Sequence, residues 1–370
     1  MPKRHRRRQF LALGSGLAAS AALSRIDRKG VAFAGPDDVP KKPQPGAPQP
    51  GDVKLPAGAK MPMRKLGRTG VEVSIVGLGG FHLGLPKDEQ VATRIIHTAI
   101  DHGVTFMDNC WDYNDGESQR RMGRALQGGH RQRVFLMTKI DGRTRKAAAE
   151  QIDQCLAALR TDVIDLMQIH EVIRESDGGR VFAPGGAVEA LVAARQAGKI
   201  RFIGFTGHKS PDIHLGMLKT AAIHDFHFDT VQMPVNVMDA HHDSFGKRVI
   251  PVATANGVGV IGMKPFGSGL FFRAAPLASR AVTPAECLHY AMSQPTSVVV
   301  TGCDTEGILM QALDAALRFR PLTDEQTRSL LARTAPVASN GEWERYKKAD
   351  TFDGTAQHPW WLETAKLKQG

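Results

Sequence analysis

Three apolar runs in the first half of the chain each end in an ionisable residue. Asp108 closes the run that begins at residue 104, Lys139 closes the run from residue 134, and His170 closes the run from residue 164. Tyr113 follows Asp108 by five positions. If these runs are consecutive parallel strands, their carboxyl ends meet at one end of a barrel, where such folds gather their functional side chains.

An aspartate, a tyrosine, a lysine and a histidine in one pocket suit proton donation to a carbonyl group. A free tyrosine has a pKa near ~10 and is a poor acid at neutral pH, but a neighbouring ammonium lowers that pKa. We expect Lys139 to supply the ammonium, with Asp108 as its counter-ion. His170 is expected to hydrogen-bond the substrate oxygen or to share the proton, and Tyr113 to act as the general acid. None of these groups provides a hydride, so a nicotinamide cofactor is required.

Each of these side chains also has an ordinary structural interpretation. Asp108 could cap a loop, Tyr113 could be a rim aromatic, Lys139 could lie in solvent, and His170 could be a core histidine with satisfied hydrogen bonds. Their occurrence together at consecutive strand ends favours the functional interpretation.

The elements that must position these residues are visible as an alternation of eight β-rich runs with eight amphipathic segments. The predicted strands cover residues 74–78, 104–108, 134–139, 164–170, 200–206, 230–235, 258–263 and 297–301. The predicted helices cover residues 88–102, 117–126, 147–159, 187–197, 211–222, 243–256, 284–293 and 304–317. This alternation is typical of a parallel α/β protein.

The span of residues 61–320 fits a single (β/α)8 TIM barrel, for which about 250 residues is usual. A doubly wound sheet is the main alternative, and it would carry an early G-x-G-x-x-G motif. Residues 77–80, Gly-Leu-Gly-Gly, do not match that motif.

Two segments flank the predicted barrel. Apolar residues alternate with polar ones over residues 65–73, around a turn that contains glycine. This pattern predicts an N-terminal hairpin. Residues 321–370 form a C-terminal extension with a predicted helix over 324–333 and an aromatic tail. The tail holds Trp343, Tyr346, Phe352, Trp360 and Trp361. It is expected either to cover one rim of the pocket or to pack against the outer helices.

Residues 1–34 have the features of a secretory leader: a basic start, a short apolar run and an Ala-Phe-Ala cleavage site at 32–34. Residues 7–11, Arg-Arg-Gln-Phe-Leu, favour the twin-arginine type of signal. An ordinary Sec leader and an uncleaved anchor are the alternatives. The run is too short for a stable membrane span, so we expect a periplasmic or exported protein.

Residues 35–60 predict a Pro-rich linker that cannot offset its ordering entropy. The chain carries a net charge of +11, but +7 of it lies in residues 1–34. Because most of the basicity belongs to the leader, we predict no nucleic-acid partner.

The four cysteines, Cys110, Cys155, Cys287 and Cys303, show no C-x-x-C spacing, so no metal site is predicted. Export permits disulfides, and Cys110 and Cys303 are both near strand ends. Four reduced, buried thiols are the preferred prediction, but sequence leaves the pairing open.

Asp108 with Tyr113 after the second strand, Lys139 after the third and His170 after the fourth resemble the catalytic tetrad of the aldo-keto reductases. The resemblance extends over residues 61–320. It implies a (β/α)8 barrel that reduces a small aldehyde or ketone with NADPH or NADH. The substrate and the oligomeric state are not readable from these residues.

Other stretches resemble the same family. Residues 63–70 resemble its N-terminal hairpin, and residues 198–204 resemble its entry to the fifth strand. The resemblance implies cofactor contacts from Gly79, Gly80, Thr206, Gln232, Lys264, Phe266, Gly267, Ser268, Gly302 and Asp304.

In these implied contacts, Gln232 would hold the nicotinamide carboxamide and residues 264–269 would cover the pyrophosphate. The chain departs from the family where Thr206, Gly207 and His208 occupy the site of its Ser-Asn pair, so that the usual asparagine is missing, and where Met263 replaces a stacking aromatic. Asp304 would repel a 2′-phosphate if it pointed inward. These residues leave the choice between NADPH and NADH open; the resemblance implies NADP, with NAD as the alternative.

Two other functions remain open at this point. In a metal-dependent barrel hydrolase, Asp108, His170 and His208 would bind zinc and a water molecule. Against this, Tyr113 and Lys139 would have no role. A non-catalytic nucleotide-binding regulatory subunit is the second alternative.

Overall fold

The computed structural model describes residues 49–273, 281–338 and 340–368. The predicted leader, the twin-arginine motif and residues 35–48 of the predicted linker lie outside these residues. The rest of that segment contacts the folded domain, since Leu55 packs against the main core. Among the residues described, none of the helices combines the length and apolarity needed to cross a bilayer.

Eight parallel strands close into a barrel, which confirms the predicted TIM fold. They are β3 (Val76–Gly79), β4 (Phe106–Asp108), β5 (Phe135–Ile140), β6 (Ile164–Ile169), β7 (Ile200–Thr206), β8 (Thr230–Pro234), β9 (Gly259–Met263) and β10 (Val298–Gly302). Each strand pairs with the next along the chain, and β10 pairs with β3 to complete the ring. Most of the strands are buried along their whole length, as expected for a parallel sheet covered on both faces.

The helices follow the predicted alternation, with one predicted helix divided and three short helices added. They are α1 (Glu89–Asp101), α2 (Glu117–Ala125), α3 (Arg145–Leu159), α4 (Ser176–Phe182), α5 (Ala187–Gln196), α6 (Pro211–Ile223), α7 (Phe245–Arg248), α8 (Ile250–Ala255), α9 (Leu270–Arg273), α10 (Pro284–Ser293), α11 (Glu306–Leu317), α12 (Asp324–Ala338) and α13 (Gly354–Gln357). The expected single helix over 243–256 is two helices, because Pro251 lacks the N–H that would continue α7. Helices α4, α9 and α13 were not predicted.

An antiparallel hairpin closes the amino-terminal end of the barrel. Its strands are β1 (Met63–Lys65) and β2 (Glu72–Ser74), which confirms the predicted hairpin. Leu66 and Val73 are fully buried in it and belong to an apolar cluster with side chains of β4, β5, β6, β9 and β10. Gly67 has a φ of +53°, and a Cβ there would lie 2.4 Å from the backbone nitrogen of Gly259. The hairpin turn therefore requires glycine at this position.

The C-terminal tail runs along the opposite, carboxyl-terminal rim. The backbone N–H groups of Gly354 and Thr355 donate to the two carboxylate oxygens of Glu171, at 2.8 and 2.7 Å. The backbone N–H of Arg143 donates to the carbonyl oxygen of Leu362 at 2.8 Å. The tail thus covers the rim, the first of the two predicted arrangements, and it also contacts an outer helix through Gln151 of α3.

Candidate active site

The four residues predicted to act together lie at neighbouring strand ends. Asp108 is the last residue of β4, Lys139 is the penultimate residue of β5, and His170 directly follows β6. Tyr113 lies in the loop after β4. Asp108 and Lys139 are buried, with 4% and 1% exposure. The parallel pairing of β4, β5 and β6 brings these ends together.

The ammonium of Lys139 is the centre of this group. Its Nζ atom forms an ion pair with the carboxylate of Asp108 and donates to the carbonyl oxygen of Asn109 at 2.7 Å. It also donates to the hydroxyl oxygen of Tyr113 at 3.4 Å and lies 4.9 Å from the centre of that ring. The buried charge is therefore compensated on several sides, as such a charge requires.

The expectation that the pKa of Tyr113 would be lowered overall is wrong. Burial raises the pKa of Tyr113 well above its usual value, and the negative charge of Asp108 adds to the effect. Desolvation disfavours the phenolate, and the carboxylate of Asp108 compensates the lysine charge. The phenol is consequently fully protonated at neutral pH.

The imidazole of His170 meets acidic groups on its Nδ1 side. Nδ1 lies 3.1 Å from an oxygen of Asp141, 3.3 Å from the sulfur of Cys110 and 3.9 Å from an oxygen of Asp112. Burial lowers the pKa of His170, but the carboxylates of Asp141 and Asp112 outweigh burial and raise that pKa overall. The rings of His170 and Tyr113 stand edge to face with centroids 5.9 Å apart.

Arg143 fixes the backbone beneath this group. Its guanidinium is 1% exposed and pairs with Asp177 at 2.9 Å. It also donates to the carbonyl oxygens of Asp141 and His170, both at 2.7 Å, and to that of Glu171 at 2.9 Å. Glu171 has a φ of +44°, a left-handed conformation that is uncommon outside glycine. The arginine therefore ties the ends of β5 and β6 together.

The residues predicted to bind a cofactor lie at the carboxyl ends of five other strands. They are Gly79 and Gly80 at β3, Thr206 at β7, Gln232 in β8, Lys264, Phe266, Gly267 and Ser268 after β9, and Gly302 and Asp304 at β10. With the four residues at β4, β5 and β6, they surround one end of the barrel.

Gln232 connects these two groups of residues. Its Nε2 donates to Asp108 at 2.9 Å, while its Oε1 is buried and has no hydrogen-bond partner among the described residues. Gln168 Oε1 and Thr301 Oγ1 are also buried without a hydrogen-bond partner among the described residues. Because a buried polar atom without a partner is costly, the glutamine oxygens fit a ligand that donates hydrogen bonds, such as the carboxamide of a nicotinamide ring.

The tail and the loop after β9 meet beside the predicted cofactor residues. Lys264 Nζ lies 5.2 Å from the centre of the Tyr346 ring, and burial lowers the pKa of Lys264 to about 8. His208 Nε2 lies 2.7 Å from an oxygen of Asp353, and burial lowers the pKa of His208 to about 4. His208 is thus occupied by the tail.

The zinc ligands of the hydrolase alternative are not assembled. Asp108 is bound by Lys139 and Gln232, and His208 by Asp353. Among the described residues, a different trio places its ligand-type atoms within 4.8 Å of one another, namely Cys110, Asp112 and His170. These three residues are close together because Cys110 and Asp112 both lie on the Nδ1 side of the His170 imidazole.

All four cysteines are free and buried, in agreement with the preferred prediction. Several residues of the site were missed from sequence, chiefly Asp141, Asp112, Arg143 and Gln168. Asp141 follows Lys139 by two positions and Asp112 directly precedes Tyr113. Proximity in sequence to predicted site residues was the only signal for these two carboxylates. Their contacts depend on strand pairing and on loop conformation, which the sequence does not display.

The chain matches a family model described as the aldo/keto reductase family over residues 75–287. It is 26% identical over 225 residues to the uncharacterized oxidoreductase YrpG of Bacillus subtilis strain 168, covering 55% of this chain and 66% of YrpG, just under two thirds. It is 26% identical over 301 residues to L-galactose dehydrogenase of Arabidopsis thaliana, covering 75% of this chain and 86% of that protein.

Among solved structures, the holo form of aldo-keto reductase AKR11C1 from Bacillus halodurans has the same fold. The TM-score is 0.63 at 23% identity, and the match covers 77% of this chain and 99% of that one.

Proposed function

Because this chain belongs to the aldo/keto reductase family of NAD(P)-dependent oxidoreductases, we propose that it reduces an aldehyde or ketone to an alcohol. The observation that carries this proposal is the convergence of one phenol, one ammonium and one imidazole. The hydroxyl of Tyr113 lies 3.4 Å from Lys139 Nζ, and its ring is 5.9 Å from that of His170.

Tyr113 acts as the proton donor in the proposed reaction. Its raised pKa keeps the phenol protonated until negative charge develops on the substrate oxygen, and an alkoxide is basic enough to take that proton. Lys139 then stabilises the phenolate that remains, and Asp108 holds the ammonium in place. General acid catalysis of this kind contributes about 10²–10⁴-fold to the rate. A bound nicotinamide supplies the hydride that the carbonyl carbon receives.

The cofactor would be held by the residues that surround the tetrad. Gln232 would offer its free Oε1 to the carboxamide, and Thr206 lies beside Gln232, since the two residues pair across β7 and β8. The loop with Lys264, Phe266, Gly267 and Ser268 would cover the phosphates. Gly302 and Asp304 lie at the end of β10, next to the start of α11, whose amino end favours an anion. NADPH is the proposed cofactor and NADH the alternative.

We test this function by following nucleotide oxidation with a panel of aldehydes and ketones, using NADPH and NADH separately. Sugar aldehydes belong in the panel because the relative L-galactose dehydrogenase is named for a sugar. Tyr113→Phe should reduce turnover at least about 10²-fold. Tyr290→Phe is the matched control and should leave turnover unchanged, because Tyr290 lies on α10 in an apolar cluster that contains none of the four tetrad residues.

Equal turnover by wild type and Tyr113→Phe would contradict the proposed mechanism. Nucleotide binding by the wild type without turnover of any carbonyl would favour the regulatory-subunit alternative. Loss of activity with a chelator, in the absence of nucleotide, would favour the hydrolase.

The proposal extends to the place of action. We infer export by the twin-arginine route from residues 7–11 and the apolar run that follows them. This route carries folded proteins, so the cofactor would bind before export and stay bound. Mass spectrometry of nucleotide released from natively purified periplasmic protein tests this. Protein that stays in the cytoplasm with an intact leader would contradict export, and periplasmic protein without nucleotide would contradict retention.

A further inference from the structure

The imidazole of His170 has all its hydrogen-bonding contacts among the described residues on one nitrogen. Nδ1 lies 3.1 Å from Asp141 Oδ1 and 3.3 Å from Cys110 Sγ. Asp141 is fully buried, and its other oxygen accepts from the indole N–H of Trp111 at 2.5 Å. Its backbone N–H donates to Gln151 at 2.8 Å. This carboxylate is therefore held in one orientation toward the imidazole.

The contact with Asp141 decides which nitrogen of His170 carries a proton. An ionised carboxylate only accepts hydrogen bonds, so Nδ1 must carry the hydrogen. In a neutral imidazole Nε2 would then be an acceptor and could not donate to a carbonyl oxygen. Nε2 can donate only if the ring holds a second proton.

We propose that Asp141 is a positioning residue that fixes the Nδ1–H of His170 and keeps the ring as an imidazolium, so that Nε2 donates a hydrogen bond to the carbonyl oxygen. The catalytic contact belongs to His170, and Asp141 acts through it. The kinetic measurement described below depends on the proposed carbonyl reduction, whereas the NMR titration of His170 does not.

The other groups around His170 support the choice of Asp141 as its partner. Asp112 is more distant, at 3.9 Å, and burial raises its pKa. Both carboxylate oxygens of Glu171 accept hydrogen bonds from the tail, and burial raises the pKa of Glu171 to about 7. By contrast, the pKa of Asp141 is lowered, because His170 and the hydrogen bonds of Asp141 outweigh burial.

The remaining neighbours do not replace this carboxylate. Burial raises the pKa of Cys110, which keeps the thiol protonated and neutral. Lys139 is paired with Asp108, and Arg143 pairs with Asp177 while binding the His170 backbone. Tyr113 is a neutral phenol. Asp141 is thus the carboxylate in direct contact with Nδ1.

The first measurement is the titration of His170 in ¹⁵N-histidine-labelled protein by NMR, with the resonance assigned by its absence in His170→Gln. Removal of an opposite charge within about 4–6 Å changes a pKa by about 1–3 units. Asp141→Asn should therefore lower the midpoint of His170 by about one pH unit or more. Asp112→Asn, which removes the more distant carboxylate, should lower it by less.

A second variant guards against misfolding of Asp141→Asn. Trp111→Phe removes the indole donor from Asp141, leaves the carboxylate more basic and should raise the midpoint of His170. An unchanged midpoint in both Asp141→Asn and Trp111→Phe would overturn the proposal.

The second measurement is the pH profile of kcat/KM for carbonyl reduction. In wild type it should fall at high pH as Nε2 loses its proton. In Asp141→Asn this limb should move to lower pH, or disappear if the new amide donates to Nδ1 and leaves the proton on Nε2. A limb that stays in place would count against Asp141. A shifted NMR midpoint in a protein with no carbonyl turnover would defeat the proposed function while leaving the Asp141–His170 pair intact.

Discussion

The two ends of this barrel are built from opposite kinds of side chain. At the amino-terminal end, Leu66 and Val73 of the hairpin pack with Phe106 and Val298 in an apolar cluster. At the carboxyl-terminal end, Lys139 and its partners are equally buried but are mostly charged or polar. Burying apolar surface stabilises a fold directly, whereas burying charges costs free energy unless each one is matched. The comparison indicates that one end maintains the fold and the other maintains the chemistry.

The largest expected effect comes from breaking the central ion pair. Lys139→Met should remove most activity and lower the free energy of unfolding by about 3–5 kcal/mol, because Asp108 is left as an uncompensated buried charge. Chemical denaturation and steady-state kinetics measure the two losses.

A double variant separates these losses. Adding Asp108→Asn to Lys139→Met removes the unpaired charge and keeps an acceptor for Gln232, so stability should largely return while activity stays absent. If the double variant is as unstable as Lys139→Met, the pair contributes to stability in its own right, and the comparison of the two ends fails.

A smaller effect is expected at the amino-terminal end, where a substitution should lower stability without lowering activity. Leu66→Ala removes a fully buried side chain and should cost about 2–5 kcal/mol of stability. The kcat of the folded protein should be unchanged, since Leu66 lies at the end away from Tyr113. Val252→Ala, at a residue that is 39% exposed, should change stability by less than about 0.5 kcal/mol. A large fall in kcat for Leu66→Ala, with the protein still folded, would show that the two ends are coupled.

The last effect is a pH dependence of stability that arises at His208, at the carboxyl-terminal end. Burial lowers the pKa of His208 to about 4 from the ordinary 6.5, so the native state keeps His208 neutral while the unfolded chain binds a proton. This contribution to stability is complete above pH 6.5 and is lost as the pH falls toward 4. The slope is at most about 1.4 kcal/mol per pH unit.

His208→Gln keeps an N–H donor for Asp353 and removes the titrating group, so its stability should fall less between pH 6.5 and 4. Leu66→Ala is the matched comparison, and it should lower stability by a similar amount at each pH. Denaturation curves at several pH values measure both. A His208→Gln curve parallel to that of the wild type would refute the assignment.

The fold was more predictable than the site. Alternating β-branched runs and amphipathic segments follow from local periodicity, and β7 and α10 have the predicted bounds. The strand-end positions of Asp108, Lys139 and His170 were also predictable, because the runs end at or beside them. The direction of the Tyr113 pKa shift was not, because it depends on how deeply the ring is buried. The partnership of Asp141 with His170 likewise depends on contacts between adjacent strands.

The closure of the tail over the rim has a consequence for how the fold is completed. Glu171 accepts from Gly354, which lies 183 positions later in the chain, and Arg143 and Gln151 also bind backbone groups near the carboxyl terminus. The last of the eight strands ends at Gly302, so the sheet closes without any residue of the tail. Until the tail docks, the rim groups that it binds are open to water. The rim is therefore completed by long-range contacts that the closing of the sheet does not supply.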